Sequence, residues 1–184
     1  MKTERTIAND FPQPIEVQVG YDRFFNGIKE IVNGKKIDNA LGEKLKTYVF
    51  DSFDSFDFSD FQEFSDTLYV RKYLGKDFET GWEAILMCWK KGNQTAIHGH
   101  PQFAAYNFVK GDFLVEVFEA KDDFVQLANA IEAKRGDGFF AVGEPDAFDN
   151  HIHRITCLSD VGYSLHIYSD DARKGFNMNE LLKG

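Results

Sequence analysis

Between Thr67 and Ser169 the chain is cut into short apolar stretches by turn-forming clusters: Lys91-Gly92-Asn93, Lys110-Gly111-Asp112, Gly136-Asp137-Gly138 and Ser159-Asp160-Val161-Gly162. Glycine beside Asn or Asp supplies the backbone freedom that reverses a chain, and the intervening stretches are too short for helices of ordinary length. They predict strands at 67–74, 81–90, 94–99, 103–109, 112–119, 138–142, 151–157 and 161–168. Many short strands joined by tight turns must close on themselves or stack in two layers to bury their apolar faces. The chain therefore reads as mostly β, a small β-barrel or sandwich.

The preceding part has a different texture. Pro12 and Pro14 restrict residues 1–20 to an extended lead-in. Phe24, Phe25, Ile28, Ile31 and Val32 recur at helical spacing, with Asn33-Gly34 as a stop. A second helix starts near Asp38, a good N-cap, and carries Leu41, Leu45, Tyr48 and Val49. The tract DSFDSFDFSDFQEFSD over 51–66 is simple in composition, yet disordered segments seldom keep so much phenylalanine. A turn and a short helix packing these rings on the barrel is the expected outcome. The 184 residues suit a single domain, with a helical part over 1–66 and a barrel over 67–184.

Charge narrows the function classes. Lys and Arg number 21 against 30 Asp and Glu, a net charge of −9. A chain this acidic, with no basic stripe, is not expected to bind nucleic acid or an anionic membrane surface. It shows no signal-like start and no bilayer-length apolar run, so a cytoplasmic location is expected, with Cys88 and Cys157 reduced. Nothing in the sequence demands more than a monomer or a weak homo-oligomer.

All five histidines lie late in the chain: His98, His100, His151, His153 and His166. Residues two apart on a strand share a face, so His98 pairs with His100 and His151 with His153. Imidazoles so placed can hold one metal ion, although an isolated H-x-H is as often a solvent-exposed or core histidine. The flanks add weight. Gly92, five residues, His98, one residue, His100, three residues, Ala104, six residues and Gly111 reproduce the spacing of the first cupin motif. Ala104 stands where that motif carries Glu, and the P-x-G of the second motif has become Glu144-Pro145-Asp146.

Five segments then occur in the order of one cupin family. They are Tyr69-Val70-Arg71, Ile85-Leu86-Met87-Cys88-Trp89, Ile97-His98-Gly99-His100, Ile152-His153-Arg154-Ile155 and SLHIYS from Ser164 to Ser169. In these the chain resembles the cysteine (thiol) dioxygenases, over more than half of its length. The resemblance implies a cupin-type barrel in jelly-roll form with N-terminal helices. It also implies a three-histidine Fe(II) centre at which dioxygen oxidises a small thiol, most simply L-cysteine, to its sulfinic acid. By position it makes His98, His100 and His153 the metal ligands and Ser164, His166 and Tyr168 a hydrogen-bond relay. Arg71, supported by Tyr69, becomes the residue that holds the substrate carboxylate, a task suited to the guanidinium fork. His151 shares the predicted face of His153 and is the rival ligand; the resemblance places the ligand immediately before Arg154.

The departures carry chemistry too. Without a carboxylate at 104 the ligands are neutral, and a divalent ion keeps its charge for an anionic ligand such as a thiolate. Some family members cross-link a cysteine to the strand tyrosine; here that position is Ala104, so Tyr168 is expected to stay unmodified. Ser169-Asp170-Asp171 replaces the Ser-Pro-Pro of mammalian-like members and changes one pocket wall. Two other functions stay open: oxidation of 3-mercaptopropionate or another small thiol, and binding of a metal or small ligand without catalysis. Cys88 and Trp89 read as core packing.

Overall fold

The computed structural model describes residues 15–182. Pro12 and Pro14 lie outside them. At the end of the expected lead-in, Val17 bridges Tyr73 and Gln18 N–H donates to the Tyr73 carbonyl at 2.7 Å.

Both helices form as the periodicity predicts. Helix α1 spans Asp22–Val32 and buries Phe24, Phe25 and Ile28, and it ends at Asn33 before Gly34, whose φ is 62°. Helix α2 spans Asn39–Ser52, and the Asp38 side chain caps it by accepting from Leu41 N–H at 3.0 Å. The phenylalanine tract follows as two 3-10 turns, Phe53–Ser55 and Phe58–Asp60. Phe53, Phe56 and Phe61 are buried and Phe58 and Phe64 pack beside them, so the tract is a packing element, not a linker.

Nine strands follow: β1 Val70–Lys76, β2 Glu83–Lys90, β3 His98–His100, β4 Phe103–Lys110, β5 Phe113–Ala120, β6 Val125–Ala133, β7 Gly138–Val142, β8 Asn150–Cys157 and β9 Val161–Tyr168. Every pairing is antiparallel, in a five-stranded sheet ordered β1-β2-β9-β4-β7 and a four-stranded sheet ordered β3-β8-β5-β6. The mostly β barrel is as expected, with one strand more than the sequence indicated. Strand β6, VQLANAIEA, escapes prediction because its Ala, Asn and Glu are poor strand formers and most of its residues are exposed. Its pairing with β5 is what holds it. Strands β1 and β3 also begin later than predicted, at Val70 and His98.

Alternation on the central strands builds two cores. Ala84, Leu86 and Cys88 of β2, with Leu165 and Ile167 of β9, face the helices and meet Phe25, Ile28, Leu45 and Val49. Ile85, Met87 and Trp89, with Tyr106, Phe108, Phe113 and Ile155, fill the barrel interior. Strand β2 is buried on both faces, which is why EAILMCWK reads as nearly continuous apolar sequence. Burial of a side chain such as Leu45 contributes roughly 1.5–3 kcal/mol. The helices thus cover the outer face of the five-stranded sheet and leave its inner face to the site.

Candidate functional site

His98 and His100 sit on either side of Gly99 on β3, and β8 lays His153 directly opposite His98. A register shift between His98 and His100 leaves His100 opposite Asn150, so β8 bulges across His151, whose φ is +45°. That left-handed backbone breaks the two-residue alternation. His151 therefore does not join His153 in the cluster. Its Nε2 instead lies 2.8 Å from the Tyr106 hydroxyl, and its carbonyl accepts from His100 Nδ1 at 2.9 Å.

The side-chain ligand atoms of His98, His100 and His153 all lie within 4.8 Å of one another. His98 Nδ1 is 2.8 Å from the Ala96 carbonyl, and a carbonyl can only accept. Nδ1 of His98 and His100 therefore carry the hydrogen, and the Nε2 lone pairs are free to bind a cation. His100 Nε2 and both ring nitrogens of His153 are buried with no hydrogen-bond partner among the described residues. Burial, reinforced by the neighbouring histidines, pushes His100 and His153 well below the ordinary imidazole pKa, and burial brings His98 down to about 4. Three neutral imidazoles with converging, unbonded nitrogens fit a divalent metal ion.

The approach of β3 to β8 depends on Gly99. A Cβ there would fall against the Asp149 Cα and 2.6 Å from the Phe148 carbonyl oxygen. Asn150 ties the degenerate second-motif loop to the same place. Its amide donates to the carbonyls of His100, Glu144 and Ala147 at 3.1–3.2 Å, and its Oδ1 accepts from Glu144 N–H at 2.9 Å. Asp146, at φ 59°, takes the left-handed turn position.

On β9, Ser164, His166 and Tyr168 point inward together and are almost wholly buried. Ser164 Oγ lies 2.7 Å from His166 Nε2, and His166 Nδ1 lies 2.9 Å from the Tyr168 hydroxyl. Trp89 extends the chain by donating its indole N–H to Ser164 Oγ at 2.8 Å. Burial and the Arg71 charge keep His166 neutral, so it has one N–H. If that hydrogen were on Nε2, Ser164 would accept twice and its own buried hydroxyl hydrogen would need another acceptor. With Ser164 donating to Nε2 and Nδ1–H donating to Tyr168, every proton in the row is used, and the Tyr168 O–H is left to donate into the barrel. Burial pushes the Tyr168 phenol well up, with Arg71 partly offsetting it, so Tyr168 stays protonated. Its ring lies 5.9 Å from that of His100.

Arg71 and Tyr69 are on the same interior. Tyr69 stacks on Trp89 at 4.5 Å, and Arg71 places its guanidinium 5.8 Å from the Tyr69 ring centre while Nη2 donates to the Tyr69 hydroxyl at 3.5 Å. The Arg71 charge reaches His98, His166 and Tyr168. Tyr69, Arg71 and Tyr73 line a cleft of about 470 Å³ whose charged lining also includes Lys72, Arg173, Glu16 and Glu63. Arg154 faces away from this site and pairs with both Glu116 oxygens, at 2.6 and 2.7 Å.

The structure thus gathers all eight residues singled out from the sequence, three imidazoles, the β9 row and the Tyr69–Arg71 pair, around one interior. Trp89 and Tyr106 were missed. Trp89 looked like core and is core, but its single N–H makes it also the end of the row. Tyr106 stands two residues after Ala104 and shares its inward face, a parity that would have found it. Its ring is 4.7 Å from His153.

The sequence profile of the family cysteine dioxygenase type I matches residues 21–174. Curated protein sequences give no match. Among solved structures, a protein with a double-stranded β-helix domain from Klebsiella pneumoniae subsp. pneumoniae superposes with a TM-score of 0.51 at 11% identity, over 67% of this chain and 90% of that one. An RmlC-like cupin from Shewanella frigidimarina is 24% identical, with a TM-score of 0.45 over 63% of this chain and 90% of that one. A cupin superfamily protein from Desulfitobacterium hafniense is 13% identical, with a TM-score of 0.46 over 61% and 86%. Among the described residues no helix is long and apolar enough to cross a membrane.

Proposed function

The chain belongs to the cysteine dioxygenase type I family, and from that premise we propose that it oxidises a small carboxylate-bearing thiol with dioxygen to the sulfinic acid. The balance is R–SH + O₂ → R–SO₂H, with both oxygen atoms on sulfur. L-cysteine is the first substrate to test and 3-mercaptopropionate the second, since both present a thiol and a carboxylate. The observation that carries the reading is the cluster of three buried imidazoles whose ligand atoms converge within 4.8 Å.

In this reading His98, His100 and His153 hold Fe(II), which would supply the point where thiolate and dioxygen meet. The imidazoles bring no charge, so a thiolate is a better-matched partner than a neutral group. Arg71 takes the carboxylate in its fork of donors and so fixes the direction of the sulfur. Tyr69 steadies the guanidinium and Trp89 backs Tyr69. Tyr168 aims its O–H at the reacting sulfur and oxygen atoms, with His166 and Ser164 holding its orientation. The buried walls keep bulk water out. Most of the protein's share of the acceleration is positioning.

The test is anaerobic loading with Fe(II), then dioxygen uptake and mass detection of the sulfinate, with cysteine and 3-mercaptopropionate side by side. Arg71→Ala should raise KM for either thiol at least tenfold, about the value of one charge-assisted pair, with iron content unchanged. Absence of uptake with every thiol tried in iron-loaded protein would leave a metal-binding cupin without this catalysis.

A further inference from the structure

The cleft outside Arg71 holds two hydrogen-bond donors that the proposed reaction does not use. Tyr73 follows Arg71 on the same face of β1 and is 7% exposed, and its hydroxyl has no partner among the described residues. Arg173, from the segment after β9, lines the same cleft. Its Nε donates to Asp171 Oδ1 at 2.8 Å and its Nη2 to Oδ2, while its Nη1 is buried with no hydrogen-bond partner among the described residues. Arg71, Tyr73 and Arg173 all line this one cleft, and the charges of Glu83, Arg71, Arg173 and Asp171 all act on the Tyr73 hydroxyl.

This wall is built, not incidental. Asp171 accepts from the Arg173 backbone N–H at 3.0 Å as well as from its side chain, and lies 3.3 Å from Lys76 Nζ. Lys76 in turn pairs at 2.6 Å with Glu83, which is fully buried and accepts from Ala172 N–H at 2.8 Å. The segment that departs from the Ser-Pro-Pro pattern is thus anchored by a buried ion network, and that network fixes where Arg173 points. An arginine Nη1 can only donate, and the Tyr73 hydroxyl, which can donate or accept, has a hydrogen that no acceptor takes among the described residues. Among the residues that line the cleft, Arg71, Lys72 and Arg173 stand against Glu16 and Glu63, one net positive charge. What is missing is an acceptor, and an anionic one suits the charge best.

We propose that Tyr73 and Arg173 form a second acceptor subsite beside Arg71, so that the pocket selects thiols carrying two acceptor groups, a dicarboxylic thiol above all. The inference rests on the thiol dioxygenase reading for the reaction, but the subsite itself depends only on the donors just described. Arg71 takes one carboxylate, and Tyr73 and Arg173 take the second. An amide carbonyl is the weaker acceptor of the same kind.

Two measurements test this independently. The first compares dioxygen uptake by the iron-loaded protein on 3-mercaptopropionate, on mercaptosuccinate, which adds a carboxylate to the thiol-bearing carbon, and on N-acetylcysteine, which offers an amide carbonyl. The expected order of kcat/KM is mercaptosuccinate, then N-acetylcysteine, then 3-mercaptopropionate, with at least a tenfold span carried by KM. This is the scale of one or two hydrogen bonds to a charged group. Tyr73→Phe and Arg173→Lys should each remove most of that span and leave 3-mercaptopropionate within about twofold. Tyr73→Phe keeps the ring, so its effect separates the hydroxyl from packing.

The second is calorimetric binding of succinate and propionate, which needs neither iron nor dioxygen. Succinate should bind at least tenfold tighter, and both variants should erase the difference. Succinate preference lost in the variants, with no uptake on any thiol, upholds the subsite and overturns the dioxygenase reading. Uptake on 3-mercaptopropionate with no preference for a second acceptor in either measurement, or a preference the variants leave intact, overturns the subsite.

Discussion

Trp89 and Ser164 are joined by a 2.8 Å hydrogen bond that runs diagonally between β2 and β9, because Trp89 stands opposite Gly162 and the indole reaches along the strand to the next inward residue. The bond fixes the acceptor side of Ser164 and with it the direction of every proton as far as Tyr168. Trp89→Phe preserves a ring against Tyr69 and Phe113 but deletes the N–H. Turnover in iron-loaded protein should fall roughly fivefold, the equivalent of about 1 kcal/mol. Iron stoichiometry should be unchanged, as metal analysis of the same samples would show.

Metal content will separate His151 from its neighbours. His98→Ala, His100→Ala and His153→Ala each remove one of three converging nitrogens. Each should leave the purified protein with little iron. The His151 side chain bonds to Tyr106 and its carbonyl accepts from His100; its ring packs 6.0 Å from that of His100 and 5.3 Å from that of His153 but adds no ligand atom to the three. His151→Ala should keep about one equivalent of iron, with affinity lowered no more than ~10-fold, at the low end for residues that orient ligands.

Gly99 is the point where β3 has no room for a side chain. Gly99→Ala must push β3 away from the backbone of Phe148 and Asp149 or twist it. Overpacking of this kind costs about 1–3 kcal/mol. Because the displaced residues flank Gly99 on both sides, thermal unfolding and iron content should drop together. A lowered melting temperature with full iron content would mean that the strand accommodates the methyl group elsewhere.

The ion network behind the substrate wall predicts an acid dependence. Hydrogen bonds from Arg173, with the Lys76 charge, outweigh burial and hold the Asp171 carboxyl well below its ordinary range. A depressed carboxylate stabilises the fold fully above its unfolded pKa, near 3.9, and the contribution fades as pH falls through the lower folded value. Burial pushes Glu83 the other way, so its contribution has the opposite sign. Asp171→Asn isolates the first effect: it should cost ~1–3 kcal/mol at neutral pH, with the gap to the parent closing below about pH 3. Denaturant unfolding at both pH values measures it.

Much of this was legible before any coordinates. Helical spacing, the Asp38 cap and the Asn33-Gly34 stop are local signals, and local signals predicted both helices. Strand parity put Ser164, His166 and Tyr168 on one face without reference to any neighbour. Features that depend on two strands at once were hidden. Strand β6 exists because β5 pairs with it, not because its own residues prefer extension. His151 and His153 share parity in the sequence, and only the register of β3 against β8 opens the bulge that turns one away. Arg71 was assigned by the resemblance; Tyr73 was readable only by the strand parity that put Tyr69 beside Arg71. Arg173 was not, since its placement is set by Asp171 and, through it, by Lys76 on β1 and Glu83 on β2.

The pairing of Ala104 with Tyr168 has a last consequence. The register of β4 on β9 sets these two residues directly opposite each other, and β2 sets Glu83 opposite Tyr168 on the other side, so the facing side chains are a methyl group and a carboxylate, with no sulfur to capture an oxidised ring. A thioether cannot form there, however many oxidations take place beside it. The polypeptide should keep the mass of its translated sequence at that point throughout its working life. A fresh molecule and an aged one would then differ in nothing at this strand pair, leaving no slow covalent ripening to separate early catalysis from late.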